Sequence, residues 1–369
     1  MFLNNLNQLE KGVTICIYGK GETGLALKNN IEERRQDINI ECFIDSFEGG
    51  EIDGYEVIRF NELGERDLIY DYVIVASVFS FQIEEQLRIS SITNYMIVGD
   101  NLIFKFSNLD TLSEFYWTKD ELLNNVRLDR SRELFTREHD IAIFDALINL
   151  HDSDVTCQQQ AQNFFLKEVD FDRQYLDHLP ANAIRNIIEG GVAEGTDTYK
   201  FLDSFNNIEC IHGFEPFGFL FENELRILEK NNKVKIYSKA LGNTESTINV
   251  KVDHLLKSNN VLSENKLEDE ETVLNSVQIS RIDTLFEKNS KIDLIKLDIE
   301  GYEFEALMGA KNLIQQQKPM LAISIYHRKE DIIEIPILLK SLTPEYTLYL
   351  ESYSSSSIDT VLYAIPEKT

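Results

Sequence analysis

Apolar positions in this chain cluster into short β-branched runs separated by stretches of helical spacing, once near the start and again in the C-terminal half. Residues 13–18 (VTICIY) form a run of strand length, followed by Gly19-Lys20-Gly21-Glu22-Thr23-Gly24 and then by Leu25, Leu27 and Ile31 at helical intervals. Residues 38–44 predict a second strand ending at Asp45, residues 71–76 (DYVIVA) a third and residues 95–99 (YMIVG) a fourth. Strands alternating with helical stretches predict a parallel sheet, here a small Rossmann-like α/β domain over residues 1–105.

From 109 to 179 the pattern changes. Ile141, Phe144, Ile148, Phe164 and Phe165 recur at helical spacing, glycine is absent, and the first proline is Pro180. That predicts a helical connector over residues 106–180 rather than a flexible linker. His139, His151 and His178 read there as surface histidines on helices. The strand pattern resumes at 185–188, 209–214 and 234–237, with Ala240-Leu241-Gly242 as the exit of the last. Residues 251–275 are polar and charged and read as an insertion or mobile loop. In residues 292–300 a period of two places Lys296, Asp298 and Glu300 on one strand face, with Gly301 ending the strand. Residues 319–326 predict a further buried strand closing on His327-Arg328, and 346–350 with 360–364 an antiparallel pair joined through 354–357. Residues 181–369 therefore read as a second α/β domain.

Two glycine-rich turns carry candidate chemistry. In the first, Gly19, Gly21, Gly24 and the acidic Asp45 about twenty residues on are spaced as in a dinucleotide-binding fingerprint. The unit is about half of the usual two-part dinucleotide domain. It resembles the small N-terminal domains of some sugar-modifying enzymes, which either hold a nucleotide or merely support the catalytic half. In the second turn, a strand runs into Glu189-Gly190-Gly191-Val192, then Gly195-Thr196 and a helix through Thr198, Tyr199 and Phe201. Glycines allow close backbone approach and a helix start offers unpaired N–H groups. Glu189 at the strand end repels a pyrophosphate but suits an ammonium or sulfonium, which points to S-adenosylmethionine rather than NAD. Glu215-Pro216 follows Gly195 by about 20 residues, the offset at which a carboxylate accepts both hydroxyls of a ribose diol.

The balance of 63 acidic against 36 basic residues gives a formal charge of -27 in 369 residues. With no Lys/Arg cluster to form a basic groove, nucleic acid and anionic membrane surfaces are disfavoured as partners. No apolar run approaches membrane-span length and no leader is read at Met1, so a cytoplasmic location is the expectation. Cys16, Cys42, Cys157 and Cys210 lack a C-x-x-C pairing and read as reduced, buried thiols.

Taken in order, EGGVAEGTDTYKF, HGFEP, KALGN, RIDTL, IDLIKLDIEGYEFEALMGA, SIYHRKEDI and TVLYA resemble the FkbM family of S-adenosylmethionine-dependent methyltransferases over roughly residues 180–366. The resemblance implies a class I methyltransferase seven-stranded doubly wound sheet and, most often, O-methylation of sugars or other small hydroxylated metabolites. It places the cofactor against Glu189, Gly190, Gly191, Val192, Gly195, Thr196, Glu215, Pro216, Ala240 and Leu241. The chain departs from the family in having Glu189 for the usual Asp and Ala193 for an Asn or Asp. It also lacks the Arg–His pair the family often carries around Glu351-Ser352.

Methyl transfer to a neutral hydroxyl needs a group to take its proton. His327 is the first candidate, because it follows a buried strand at the carboxyl edge of the sheet and imidazole titrates near neutrality. Asp298 and Glu300 read as alternative bases or acceptor-orienting groups, with Lys296 as their neutralising neighbour. No metal is expected; Mg²⁺ held by Asp298, Glu300 and His327 is the alternative. The expected partner is a small-molecule or glycan hydroxyl acceptor such as a sugar or nucleotide-sugar, and the sequence is compatible with a homo-oligomer. Two rival readings stay open: a non-catalytic nucleotide-binding or scaffold protein with a decayed methyltransferase half, and an enzyme whose active unit is the N-terminal one.

Overall fold

The computed structural model describes residues 1–64, 66–77, 79–99, 117–152, 154–167, 170–251, 274–286, 290–355, 357 and 359–367. By internal contacts the chain divides into two units, Met1–Asp120 with Ala146–Val169 and Ser354–Ile358, and Glu121–Asp145 with Asp170–Tyr353 and Asp359–Thr369. The predicted connector is shared between them: its residues 121–145 belong to the second unit and 146–169 to the first. Residues 106–116, 153, 168 and 169 of that stretch lie outside the described residues.

The first unit is a seven-stranded sheet of β1 (Phe2–Leu3), β2 (Thr14–Tyr18), β3 (Asn39–Asp45), β4 (Gly50–Ile52), β5 (Tyr55–Arg59), β6 (Tyr72–Val75) and β7 (Tyr95–Val98), ordered β1-β7-β6-β2-β3-β5-β4. All neighbours run parallel except the edge pair β4–β5. The helices Glu22–Arg34 and Ser80–Ile89 supply the crossovers that parallel neighbours require. The apolar runs are buried because the inner strands are covered on both faces. Ile15, Ile17, Leu27, Phe43 and Ile74 share one core, and Tyr18, Ile44, Val73 and Val75 another. The helix Val155–Phe165 reaches this unit through Gln162, whose Nε2 donates to Asn4 Oδ1 at 2.7 Å.

The second unit is built on a sheet of β8 (Asn186–Gly190), β9 (Cys210–Phe214), β10 (Val234–Tyr237), β14 (Leu294–Leu297), β15 (Met320–Ser324), β16 (Tyr346–Ser352) and β17 (Thr360–Pro366), ordered β10-β9-β8-β14-β15-β17-β16. Six strands run in one direction, and β17 inserts antiparallel between β15 and β16. The strand order reverses at β8, where chain connections leave to either side and a crevice opens at the carboxyl ends. Central β14 (LIKL) is buried at all four positions, as a strand flanked by parallel neighbours and covered on both faces must be. Its one polar residue, Lys296, is 1% exposed.

Two local differences from the sequence reading matter. First, β14 stops at Leu297, because the backbone turns left-handed at Glu300 (φ +55°) and Gly301 (φ +94°), so Asp298 and Glu300 project from the strand's exit turn rather than from one strand face. Second, Ala240–Leu241 forms a strand of its own, β11, which pairs with β13 (Leu274–Ser280) beside β12 (Ser246–Lys251) in a separate three-stranded sheet. The loop expected over 251–275 is thus hairpin arms at its ends, and its interior, 252–273, lies outside the described residues. Among the described residues no helix is long and apolar enough to cross a membrane.

Candidate active site

The exit of β8 makes the first wall of the site. Gly191 takes φ +77°, and a Cβ there would fall 1.8 Å from the carbonyl oxygen of Asp298, so the turn approaches β14 more closely than any side chain permits. Ala193 (φ +46°) and Gly195 (φ +91°) bend the chain again, and Gly195 caps the helix Thr196–Ser204. Its first-turn N–H groups consequently face the crevice beside β8.

Glu215, at the end of neighbouring β9, makes the second wall. Its Oε2 accepts from the Ala193 amide at 3.0 Å and its Oε1 from the Phe217 amide at 2.9 Å. A carboxylate offers about four lone-pair sites, so each oxygen keeps one for a ligand. The residue is 6% exposed, and burial holds its carboxyl above the usual range against the pull of those two amides.

These walls enclose a cavity of about 950 Å³, counting the space at its open mouth. Of the sequence-predicted residues, Gly191, Val192, Thr196, Glu215, Pro216, Ala240, Leu241, Lys296, Asp298 and Glu300 line it. Glu189, Gly190, Gly195 and His327 do not. Glu189 sits beneath the turn with no exposed surface. Its Oε2 accepts from Thr198 Oγ1 at 2.7 Å, and its Oε1 has no hydrogen-bond partner among the described residues. Burial pushes its carboxyl up to about 7 despite the nearby Lys296 ammonium. Sequence reasoning missed Asp197, Lys239 and the aromatic wall of Phe214, Phe217 and Phe221. Asp197, in the first turn of the helix, was findable as an acid two residues past Gly195; its pairing with Lys296 was not.

Lys296 links the two halves of the floor. Its Nζ donates to the Gly191 carbonyl at 2.9 Å, pairs with Asp197 Oδ2 at 3.1 Å and lies 4.9 Å from the ring centre of Tyr175. Burial opposes its charge, but the carboxylates of Asp197, Asp298 and Glu189 outweigh it and hold the ammonium firmly protonated. Asp298 accepts from Tyr175 Oη at 2.8 Å and from Tyr326 Oη at 3.2 Å. Burial alone would raise its carboxyl, yet Lys296 and His327 bring it below the ordinary value. Glu300 is pushed up to about 7 by burial. His327, in contrast, is carried up to about 10: burial disfavours the charge, and the carboxylates of Glu303, Glu300 and Asp298 override it.

The remaining candidates lie elsewhere. Glu351, where the family pattern was missing, is met by Arg137 Nη2 at 2.9 Å, His139 Nε2 at 2.9 Å and His178 Nε2 at 2.8 Å, while His178 stacks on Tyr349. Two of the three connector histidines therefore hold a carboxylate in place, and the third, His151, is buried. In the N-terminal unit, a Cβ on Gly24 would fall 1.9 Å from the Gly19 carbonyl oxygen, and Gly21 caps the helix Glu22–Arg34. Asp45 Oδ1 accepts from the amides of Phe47 (2.9 Å) and Glu48 (3.0 Å) in its own loop. Cys16 and Cys42 are buried thiols in neighbouring β2 and β3, Cys157 and Cys210 are half-buried, and none of the four is in a disulfide.

Numbered within the second unit, the strands run 3-2-1-4-5-7-6 with the seventh antiparallel, and the glycine turn and the acid meet at the ends of its first two strands. That arrangement is the class I methyltransferase fold. Residues 186–353 match the Methyltransferase FkbM domain model, and residues 12–98 match the C2185-like N-terminal model. The crystal structure of Methyltransferase FkbM from Methylobacillus flagellatus KT matches with a TM-score of 0.63 at 21% identity, covering 96% of this chain and 90% of that one. A putative rRNA-methylase from Clostridium thermocellum matches at 9% identity with a TM-score of 0.32, covering 50% of this chain and 89% of its own. Aeropyrum pernix fibrillarin in complex with natively bound S-adenosyl-L-methionine matches at 10% identity with a TM-score of 0.31, covering 56% and 74%. No curated protein matches the chain.

Proposed function

We infer that this protein transfers a methyl group from S-adenosylmethionine to a hydroxyl of a sugar, nucleotide-sugar or glycan precursor. The observation that carries the reading is Glu215: a buried carboxylate, pinned by two backbone amides, that keeps acceptor capacity on both oxygens and lines one cavity with the glycine turn. A ribose diol donates to those two oxygens. The nucleoside base lies against Phe217, Ala240 and Leu241, the apolar part of the lining. The methionine end meets the 191–196 turn, with Asp197 facing its ammonium and the helix N-terminus its carboxylate. Glu189 has no exposed surface, so it acts as a positioning residue through Thr198 and Lys296.

The acceptor enters on the side of Asp298 and Glu300. Its oxygen attacks the methyl carbon in line, the O–C bond forms as the C–S bond breaks, the electron pair stays on sulfur, and the hydroxyl proton passes to the carboxylate cluster. Most of the rate enhancement in such a displacement comes from alignment. The deep fixing of Lys296 and Asp298 by Tyr175, Tyr326 and Asp197 supports that emphasis.

Calorimetric titration with S-adenosylmethionine tests the cofactor half. Glu215→Ala removes the diol acceptor and is expected to weaken binding by roughly tenfold or more, as loss of a charge-assisted hydrogen-bonding group does. Unchanged affinity would sink the placement. A labelled-methyl screen against nucleotide-sugars and glycans tests the acceptor half; binding without transfer to any hydroxyl acceptor would favour a non-catalytic nucleotide-binding role.

A further inference from the structure

His327 leaves the end of β15 with its side chain 8% exposed and three carboxylates around it. Its Nε2 lies 3.5 Å from Asp298 Oδ1 and 3.6 Å from Glu300 Oε2. On the other side of the ring, Nδ1 lies 2.9 Å from Glu303 Oε1. The last is an ion-pair contact without hydrogen-bond alignment, and neither ring nitrogen makes a hydrogen bond among the described residues. A buried imidazole among three carboxylates with no aligned hydrogen bond is costly, and a divalent cation can replace its proton there. One ligating-type atom from each of Asp298, Glu303 and His327 also lies within 4.8 Å of the others.

The spacing identifies the species. Metal–ligand bonds of about 2.0–2.2 Å set neighbouring donor atoms roughly 3–3.5 Å apart, close to the separations found between Nε2 and the two carboxylate oxygens. The surroundings are those of a supported metal site. Tyr175 and Tyr326 hold Asp298, and Glu303, fixed by the Ile299 amide at 2.8 Å, backs the imidazole on its Nδ1 side.

We propose that Asp298, Glu300 and His327 bind a divalent cation, with Glu303 orienting the imidazole. One imidazole nitrogen and two carboxylate oxygens suit Mn²⁺ and its neighbours. Asp298 and Glu300 line the cavity, so the ion has protein on one side and open positions on the other for water or an acceptor oxygen. Its role there rests on the methyl-transfer reading: a coordinated hydroxyl gives up its proton more readily, to Glu300 or to water, as oxygen bonds to the methyl carbon and sulfur leaves. Occupancy of the site does not depend on that reading.

The test uses the full chain after chelator treatment, with MnCl₂ as probe and the electron paramagnetic resonance of free Mn²⁺ as readout. One ion per chain is expected, with affinity lowered roughly tenfold or more by His327→Ala and by Glu300→Gln, and about tenfold by Glu303→Gln. Glu300→Gln keeps side-chain volume at the cavity surface, so it reports even if a buried variant misfolds. Wild-type protein that takes up no Mn²⁺ at millimolar concentration, or variants that bind as wild type does, would overturn the site. S-adenosylmethionine binding measured on the same samples separates the two claims. Mn²⁺ uptake without cofactor binding supports the site and removes the methyl-transfer reading; cofactor binding without Mn²⁺ uptake does the reverse.

Discussion

Replacing Glu189 by glutamine isolates the energetics of the turn beneath the cofactor cavity. Glu189 has no exposed surface and one oxygen without a hydrogen-bond partner among the described residues, and burial pushes its carboxyl up to about 7 from the ordinary 4.5. The charged groups facing it are Lys296, which favours its ionised form, and Asp197 and Glu215, which oppose it. Because the folded pKa lies above the unfolded one, the proton stabilises the fold below about pH 4.5, and that contribution is lost as pH rises through 7. Linkage places the stability lost from the low-pH limit through this group at roughly 1 kcal/mol at pH 5.5 and roughly 3 kcal/mol at pH 8. Glutamine does not titrate. The stability of Glu189→Gln relative to wild type should therefore improve by about 2 kcal/mol between those two pH values, whatever the fixed cost of the amide to the Thr198 hydrogen bond. Native-state hydrogen exchange at the β8 and β14 amides reads this locally, within the second unit. Parallel pH curves for variant and wild type, within about 0.5 kcal/mol, would show that Lys296 already holds the carboxylate ionised and that the argument from burial is wrong.

Two further substitutions probe the same wall. Gly191→Ala must place a Cβ where the Asp298 carbonyl oxygen stands and hold a left-handed backbone, so a loss of more than about 2 kcal/mol and a matching drop in cofactor affinity are expected. Thermal unfolding and calorimetry check both, and a variant with wild-type midpoint would mean the turn relaxes freely. Thr198→Val removes the sole hydrogen bond to Glu189 found among the described residues and should cost about 1–3 kcal/mol at pH 8, less in the Glu189→Gln background; equal costs in the two backgrounds, measured by urea unfolding, would deny the coupling.

Much of the architecture of both units was legible, and the reason is local. VTICIY in the first unit and LIKL and PMLAISIY in the second are largely apolar runs because parallel strands bury both faces, and the turns after the first two carry glycine where the backbone bends left-handed. The place of Glu215 was legible because its distance from Gly195 in sequence sets it at the end of the next strand. Side-chain direction was harder to read. Glu189 ends a strand as a ligand acid would, but the pleat turns it under the sheet toward Thr198, a contact that depends on how the next helix packs. Asp197 acquires its partner Lys296 from a strand far along the chain, and Glu303 looks like any acid opening a helix until His327 arrives beside it. Strand β11 escaped because two residues, Ala240 and Leu241, have too short a pattern to announce a separate sheet.

That small sheet bears on how the protein diversifies. β11 supplies Ala240 and Leu241 to the cavity and is hydrogen-bonded to β13, whose partner β12 runs antiparallel with Lys251 opposite Leu274. The chain thus departs and returns at one point, and lengthening what joins those two ends adds only about 0.6 kcal/mol of closure entropy per doubling. Evolution can therefore rewrite the intervening twenty-odd residues while Ala240 and Leu241 keep their places in the cavity wall. The hairpin is a socket that takes insertions without moving the two cavity-lining residues beside it.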